Sequence, residues 1–339
     1  MWRGLQADAC RDLTLLHSEW TDVGRDWGAG AEQDAMSTTS ERAPFIEPQF
    51  LEDLDNGSAS VEAPYSEDKV KEIIDAYGEC FHDSAVQIRC GNVPGAALLF
   101  RVLFAIPTDT LDIALKHGWV LPNDPLVEMH KNLSQSCPRM IDQPEFTVDK
   151  GFDGTWQFLG KSYTLDEILQ IPAMPDGIKA NKQQLLDLGL TEVPITHLDY
   201  KEKTMGFYFL AQGPLTKEKL TKTVAMAGAP EPSDAVYDDI VGVLLEEPYY
   251  CTVVMDYATG KVLRIEYHLL FPVKLPDDMK IPDVGERLTT FWDIPSYEYE
   301  DMDILSFCFG HCPNGDLLAL RSYCGGLRNL MKAWGIVGV

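Results

Sequence analysis

Positive charge is in short supply in this chain. Its 339 residues carry 28 Lys and Arg against 53 Asp and Glu, a formal net charge of -25. A surface of that sign repels nucleic-acid phosphates and anionic membranes, so neither is expected as a partner. Long apolar runs are missing too. No stretch approaches the roughly 18 residues that cross a bilayer. The first 30 residues contain no basic segment followed by an apolar one, the pattern of a secretory signal. These absences lead to the expectation of an intracellular, cytoplasmic protein. The 8 cysteines include no Cys-x-x-Cys, and Cys308 and Cys312, with His311 between them, lack the second ligand pair a zinc site needs. All eight are expected as reduced, mostly buried thiols.

Scarcity makes placement informative. There are 11 arginines, and Arg89, Arg101, Arg264 and Arg321 fall inside apolar, strand-like segments. A guanidinium in such a place needs an anionic partner. One case would be an ion pair or a snorkelling side chain; four together point to an internal anion site.

The clearest local pattern is Tyr249 to Phe271. It reads as a β-hairpin with Gly260 at the turn position that needs positive φ. Its second arm alternates, Leu263, Ile265, Tyr267 and Leu269 on one face and Arg264, Glu266 and His268 on the other. Similar strand pairs are expected at 84–90 with 97–106, 139–148 with 155–163, 193–200 with 203–210, and 297–309 with 316–323. Each is followed by helical segments, the last running from Gly326 to Trp334. An amphipathic helix over 65–81 with Ser66 as N-cap precedes the first pair. Residues 1–62, rich in Asp, Glu, Ser, Gly and Ala, read as a disordered N-terminal extension, and 63–339 as a single domain. Met36 resembles a natural start. Tight hairpins between helical pairs do not suit a barrel of parallel strands. A flat ten-stranded sheet would leave long edges. A closed ten-stranded antiparallel β-barrel ringed by α-helices, of the α+β class, satisfies both constraints.

With helices outside, the more polar face of each strand points inward. That assigns Gln87 and Arg89, then Leu99 and Arg101, then Thr204, Gly206 and Tyr208, then Tyr250, Thr252 and Val254, then Arg264, Glu266 and His268 to the interior. On the tenth strand it assigns Leu317, Ala319, Arg321 and Tyr323; the third and ninth strands are ambiguous. Guanidinium groups with tyrosine hydroxyls suit a diphosphate. Aromatic walls suit a flat apolar ligand and could shelter a carbocation. A packed barrel with internal ion pairs such as Arg264 with Glu266 is the other reading of this pattern.

Two segments resemble a known family. One runs Ile171-Pro172-Ala173-Met174-Pro175, Leu190, Thr196-His197-Leu198-Asp199-Tyr200-Lys201 and Gly206-Phe207-Tyr208-Phe209; the other is Thr259-Gly260-Lys261 with Arg264. In this order they resemble the soluble aromatic prenyltransferases of the ABBA, or PT-barrel, fold, in the group acting on phenols, naphthols and phenazines. The resemblance covers roughly 65–335 and implies a ten-stranded antiparallel barrel. It sets Arg264 at a diphosphate-binding arginine, Tyr208 beside that site, Tyr323 at an active-site tyrosine, Arg321 near a diphosphate-contacting lysine, and Thr252 and Tyr250 where donor or acceptor is touched. There are departures. Arg101 stands where magnesium-dependent members hold an aspartate, which implies turnover without magnesium and without any cofactor. Gly154 replaces a basic residue for which Lys150 could substitute. Glu202 stands between Lys201 and Lys203 where a lysine is expected, and Gly206 replaces an asparagine.

The resemblance implies Friedel–Crafts-type transfer, in secondary metabolism, of a dimethylallyl group from dimethylallyl diphosphate to a small electron-rich phenol or naphthol. Arg89, Arg101, Lys150, Tyr208, Thr252, Arg264 and Arg321 would hold diphosphate. Tyr250, Glu266, His268 and Tyr323 would line the acceptor and shield the cation. Arg264 and Glu266 are the catalytic candidates, Glu266 orienting the acceptor hydroxyl. The proton would leave to Glu266, His268, water or diphosphate. Bulky Tyr250 and His268 favour a five-carbon donor, and a monomer is expected. A class I terpene synthase is disfavoured, because Asp238-Asp239-Ile240-Val241-Gly242 lacks the last aspartate of a DDxxD motif. A non-catalytic barrel carrying an aromatic ligand would not need several internal arginines.

Overall fold

The computed structural model describes residues 45–82, 84–104, 108–211, 214–243, 249–271, 283–297 and 303–325. In chain order the elements are α1 (Glu47–Ser60), α2 (Glu67–Tyr77), α3 (Glu79–His82), β1 (Ala85–Gly91), β2 (Leu99–Leu103), α4 (Thr110–Lys116), α5 (Pro125–Ser136), β3 (Ile141–Thr147), β4 (Gly151–Thr164), α6 (Leu165–Leu169), α7 (Asp176–Ala180), α8 (Lys182–Asp187), β5 (Glu192–Asp199), β6 (Thr204–Ala211), α9 (Lys217–Met226), α10 (Asp234–Val243), β7 (Tyr249–Asp256), β8 (Val262–Phe271), α11 (Gly285–Trp292), β9 (Asp303–Gly310) and β10 (Leu317–Cys324). The ten strands form one closed barrel in the order β1-β10-β9-β8-β7-β6-β5-β4-β3-β2, and each neighbouring pair is antiparallel. This is the barrel that five hairpins interleaved with helices require. Among the described residues no helix is long and apolar enough to cross a membrane.

Alternation along each strand splits the barrel into two environments. Outward residues such as Phe100, Phe146, Phe207, Phe209 and Tyr267 are fully buried, so the main core lies between barrel wall and helices. Phe146 stacks on Phe100 and meets Tyr77 of α2 edge-on. Ser66 caps α2 by accepting a hydrogen bond from the Lys69 amide, and Val70, Ile73, Ile74 and Tyr77 form its buried face. The interior is left to mixed side chains, and the functional site lies there.

The expected boundary at residue 62 needs correction. Helix α1 lies within the stretch read as an extension, and its Phe50 and Leu54 are buried against the barrel. The helix was hard to read because part of its buried face is made of small residues. Gly57 and Ser58 are buried, and a β-carbon on Gly57 would collide with the Tyr297 ring. Residues 1–44 and the closing helix expected at 326–334 lie outside the described residues. The ninth strand starts at Asp303 rather than 297; Pro295–Tyr297 forms a 3-10 turn.

The two segments that carried the resemblance meet in space. The turn between β7 and β8 packs on the N-terminus of α7, where Gly177 and Gly260 touch backbone to backbone. Tyr257 donates to the Ala173 carbonyl (2.9 Å), and Asn181 donates to the Gly260 carbonyl (2.7 Å). Gly260 has φ +70°, and a β-carbon there would overlap the Gly177 carbonyl group. Gly260→Ala is therefore expected to lose about 2 to 4 kcal/mol of stability, from the left-handed backbone and the forced separation together. Denaturant unfolding checks this; a loss below about 1 kcal/mol contradicts it.

Candidate active site

A cavity of about 120 Å³, open to solvent, occupies the hairpin-turn end of the barrel. Antiparallel register sets its polar side chains in rows across neighbouring strands. One row runs Tyr208, Thr252, Glu266 and Cys308 from β6 to β9. The next runs His197, Gly206, Val254 and Arg264 from β5 to β8. On the opposite wall Gln87, Arg101 and Glu145 are direct partners on β1, β2 and β3.

Two ion-pair centres organise the interior. In the first, Glu145 accepts from Arg89, from Arg101 Nη2 (3.2 Å) and from Trp156 Nε1 (3.2 Å). The Arg101 guanidinium lies 3.7 Å from the centroid of the Trp156 ring, which also packs on His197. Burial would raise the Glu145 carboxyl, but the two guanidiniums outweigh it and hold the group at about 2. Burial pulls Arg101 down to about 10, against the pull of Glu145, and leaves it charged at neutral pH. Burial also lowers His197 to about 3, so this ring is neutral.

The second centre is on β8. Arg264 Nε donates to Glu266 Oε1 at 2.7 Å. Burial alone would raise Glu266, yet Arg264 and then His268 keep it below the usual carboxylate range. His268 is hydrogen-bonded at both ring nitrogens, to Thr252 Oγ1 and Ser306 Oγ, each at 2.7 Å. Burial lowers it to about 4, and it stacks on Tyr208 with centroids 4.9 Å apart. Three donors remain open: Tyr208 OH, Arg264 Nη1 and Arg89 Nε are buried without a hydrogen-bond partner, and all three residues line the cavity. Burial, then Glu266, raises the Tyr208 phenol far above its ordinary range, so it stays protonated and can donate.

Of the residues singled out from sequence, Arg89, Tyr208, Thr252, Arg264 and Glu266 line the cavity. Arg101 and His268 stand just behind it, and strand alternation turns Tyr250 inward at the far end of β7. Three assignments are corrected. Arg89 pairs with Leu320 and Gln87 with Ser322, so Arg321 and Tyr323 point out of the barrel. Arg321 donates to the carbonyls of Trp292 (2.6 Å) and Ile294 (3.0 Å) at the end of α11, and Tyr323 donates to Asp53 of α1 (2.8 Å). An arginine that satisfies the last carbonyls of a helix can sit on the helix-facing side, so the rule that polar faces point inward failed on β10. Lys150 is solvent-exposed beside Asp149 in the β3–β4 turn; Lys201, paired with Asp153, lines the cavity instead. Gly154 has no room for a side chain, because a β-carbon would strike the Leu198 carbonyl.

Glu145 and Trp156 were missed. A bulge between Glu145 and Phe146 shifts the phase of β3, and Pro144 obscures the strand. The readable signal was the surplus of strand arginines, which called for a buried acid. The thiol expectation is also corrected: Cys308 and Cys312 form a disulfide at the cavity wall, while Cys80, Cys90, Cys137, Cys251 and Cys324 are free. Among the described residues no group of three or more His, Cys, Asp or Glu is arranged to hold a metal ion.

A family model described as aromatic prenyltransferase Orf2 matches residues 45–335. This chain belongs to that aromatic prenyltransferase family. It is 32% identical to an aromatic prenyltransferase of Sclerotinia sclerotiorum over 87% of this chain and 96% of the relative. It is 26% identical to the 4-hydroxyphenylpyruvate 3-dimethylallyltransferase of Streptomyces niveus, over 86% of this chain and 88% of that protein. The ternary complex of the prenyltransferase PriB with L-tryptophan and dimethylallyl thiolodiphosphate shares the fold, with TM-score 0.52 and 12% identity over 82% of this chain and 96% of that one. The prenyltransferase is thus a transferase that moves a prenyl group to an aromatic acceptor within a ten-stranded PT barrel.

Proposed function

We propose that the donor is dimethylallyl diphosphate, that the acceptor is an electron-rich phenol or naphthol, and that turnover needs neither magnesium nor another cofactor. The observation that carries this reading is the set of unpartnered, buried donors on cavity-lining residues, Arg264 Nη1, Arg89 Nε and Tyr208 OH. Such donors suit the oxygens of a diphosphate whose charge grows as it leaves. The name of the Streptomyces niveus relative supports a five-carbon donor and a phenolic acceptor.

Arg264 and Arg89, backed by Arg101, hold the diphosphate in this reading. The C1–O bond breaks and its electron pair leaves with the diphosphate. A ring carbon of the acceptor attacks C1, and the proton on that carbon then passes to the released diphosphate, restoring the aromatic ring. The Tyr208–His268 stack forms part of the wall that keeps water from the cation. Arg264 keeps its Nε on Glu266 Oε1 and turns Nη1 to the diphosphate, while the other Glu266 oxygen accepts a hydrogen bond from the acceptor hydroxyl. Positive charge at Arg101 does the work a bound cation would do elsewhere. The enzyme acts as a monomer in the cytoplasm, where reductants would open the Cys308–Cys312 bond.

Incubation with dimethylallyl diphosphate and a dihydroxynaphthalene in excess EDTA tests the proposal. A prenylated product at the rate seen without EDTA is expected. Loss of activity in EDTA with recovery on adding magnesium would defeat metal independence, and absence of product under both conditions would defeat the substrate assignment.

A further inference from the structure

The same cavity carries a second message, about the charge of the acceptor; it rests on the diphosphate-donor reading above. The charged side chains on its wall are Arg89, Lys201 and Arg264 on one side of the ledger and Glu145, Asp153, Asp199, Glu202 and Glu266 on the other. The cations are already engaged: Arg89 with Glu145, Lys201 with Asp153, Arg264 with Glu266. Among the described residues Asp199 and Glu202 have no lysine or arginine at ion-pair distance, although Arg264 is near enough to Asp199 to pull its carboxyl down. Asp199 Oδ1 accepts the amides of Lys201 (2.9 Å) and Glu202 (2.8 Å), and Glu202 faces His311, at 3.7 Å. Both belong to the β5–β6 turn at the mouth. Burial raises the Asp199 carboxyl, the mark of an acid held where water is scarce.

Binding the donor sharpens the imbalance. The buried, unpartnered Arg264 Nη1 and Tyr208 OH mark where the diphosphate enters. As it does so it takes a share of the Arg264 and Arg89 charge from Glu266 and Glu145, while Arg101 stays on Glu145 and Lys201 on Asp153; Glu266, Asp199 and Glu202 are the acids left to face whatever binds next. A carboxylate-bearing acceptor would meet those acids and, among the described lining residues, no lysine or arginine that lacks an acidic partner. An ammonium group at the mouth would meet Glu202 and Asp199. His197 and His268, inside the barrel, are neutral and change nothing in this count.

We infer that the acceptor is a cationic, amine-bearing electron-rich aromatic, with neutral phenols second and carboxylate-bearing phenols excluded. This separates the chain from the Streptomyces niveus relative, whose named acceptor, 4-hydroxyphenylpyruvate, is an anion. The distinction would be made by charge repulsion rather than by shape.

Three phenols of matched size decide the matter: tyramine, 4-(2-hydroxyethyl)phenol and 4-hydroxyphenylacetate. Their Kd values are measured by calorimetry on the full chain saturated with dimethylallyl thiolodiphosphate, so the answer does not depend on turnover. Tyramine is expected to bind at least tenfold tighter than 4-hydroxyphenylacetate, with the neutral phenol between them. Glu202→Lys should shrink that ratio at least threefold. Equal affinities, a reversed order, no detectable binding of tyramine, or a ratio indifferent to Glu202→Lys would overturn the inference. Turnover measured in parallel with dimethylallyl diphosphate reports separately on the donor and phenol assignment. Binding in the expected order without product would sink that assignment and leave the charge rule standing.

Discussion

Arg264→Ala is expected to lower kcat/KM for the prenyl donor by about 10²- to 10³-fold, the range found when one pre-organised donor to a developing anion is removed. Arg264 faces inward on β8 and offers the cavity an unpartnered Nη1 while its Nε is fixed by Glu266. Glu266 outweighs burial and holds the guanidinium above even its ordinary range, so it stays charged through the catalytic cycle. Truncation also strands a buried carboxylate, a structural effect that must be separated from the chemical one. Arg264→Ala/Glu266→Gln does so, since it removes the stranded charge and leaves the missing donor. Steady-state kinetics in parallel with thermal melts provide the check. If the double variant recovers the melting temperature while kcat/KM stays well below that of Glu266→Gln alone, Arg264 acts on the diphosphate. Near-normal kcat/KM in either variant would remove it from the site.

Glu145→Ala should cost the fold about 3 to 5 kcal/mol, the usual penalty for breaking a buried ion pair from one side. The loss is large because Arg89 and Arg101 would face each other across the gap and the Trp156 N–H would lose its acceptor. Glu145→Gln keeps the volume and separates packing from charge. Acid titration gives an independent reading. The carboxyl lies at about 2 in the fold against an ordinary 4.5. Its contribution is therefore complete above about 4.5 and is lost as pH falls toward 2. His268 and His197, lowered to about 4 and about 3, begin to weaken the fold earlier, because the unfolded chain takes up their protons from about 6.5 downward. Asp153, raised to about 6 by burial, works in the opposite direction, since the fold binds its proton first. Wild-type stability measured by urea unfolding should fall in two overlapping stages, and Glu145→Gln should fall less steeply in the one below pH 4.5, where His197 still contributes. An unchanged lower stage would mean that Glu145 is not the group responsible.

Much of the barrel was legible because hairpins announce themselves locally. Alternation on β8 and the glycine at its turn are properties of neighbouring residues, and so is the Ser66 cap of α2. The inward faces of β1, β2, β6, β7 and β8 followed from the same alternation. What escaped depended on distant partners. Arg321 looked inward because the carbonyls that satisfy it belong to α11, about thirty residues upstream. Glu145 was hidden by a bulge, which nothing in Gln143-Pro144-Glu145-Phe146 announces. Helix α1 was obscured because Gly57 makes room for a tyrosine some 240 positions away. The Cys308–Cys312 bond needed the β9–β10 turn to bring two thiols together, a geometry their spacing alone did not supply.

The barrel also has a direction in time. Nine of its ten ladders join strands that are neighbours in the chain; the tenth joins Ala85–Gly91 to Leu317–Cys324. A ribosome therefore delivers a curling meander whose first strand waits, with an open edge, for the last one made. Until Cys324 emerges, Arg89 has a wall on one side only and the substrates have no enclosed volume to enter. A chain stopped short of β10 would expose two bare sheet edges to its neighbours, and it would have no partial form of the activity to offer.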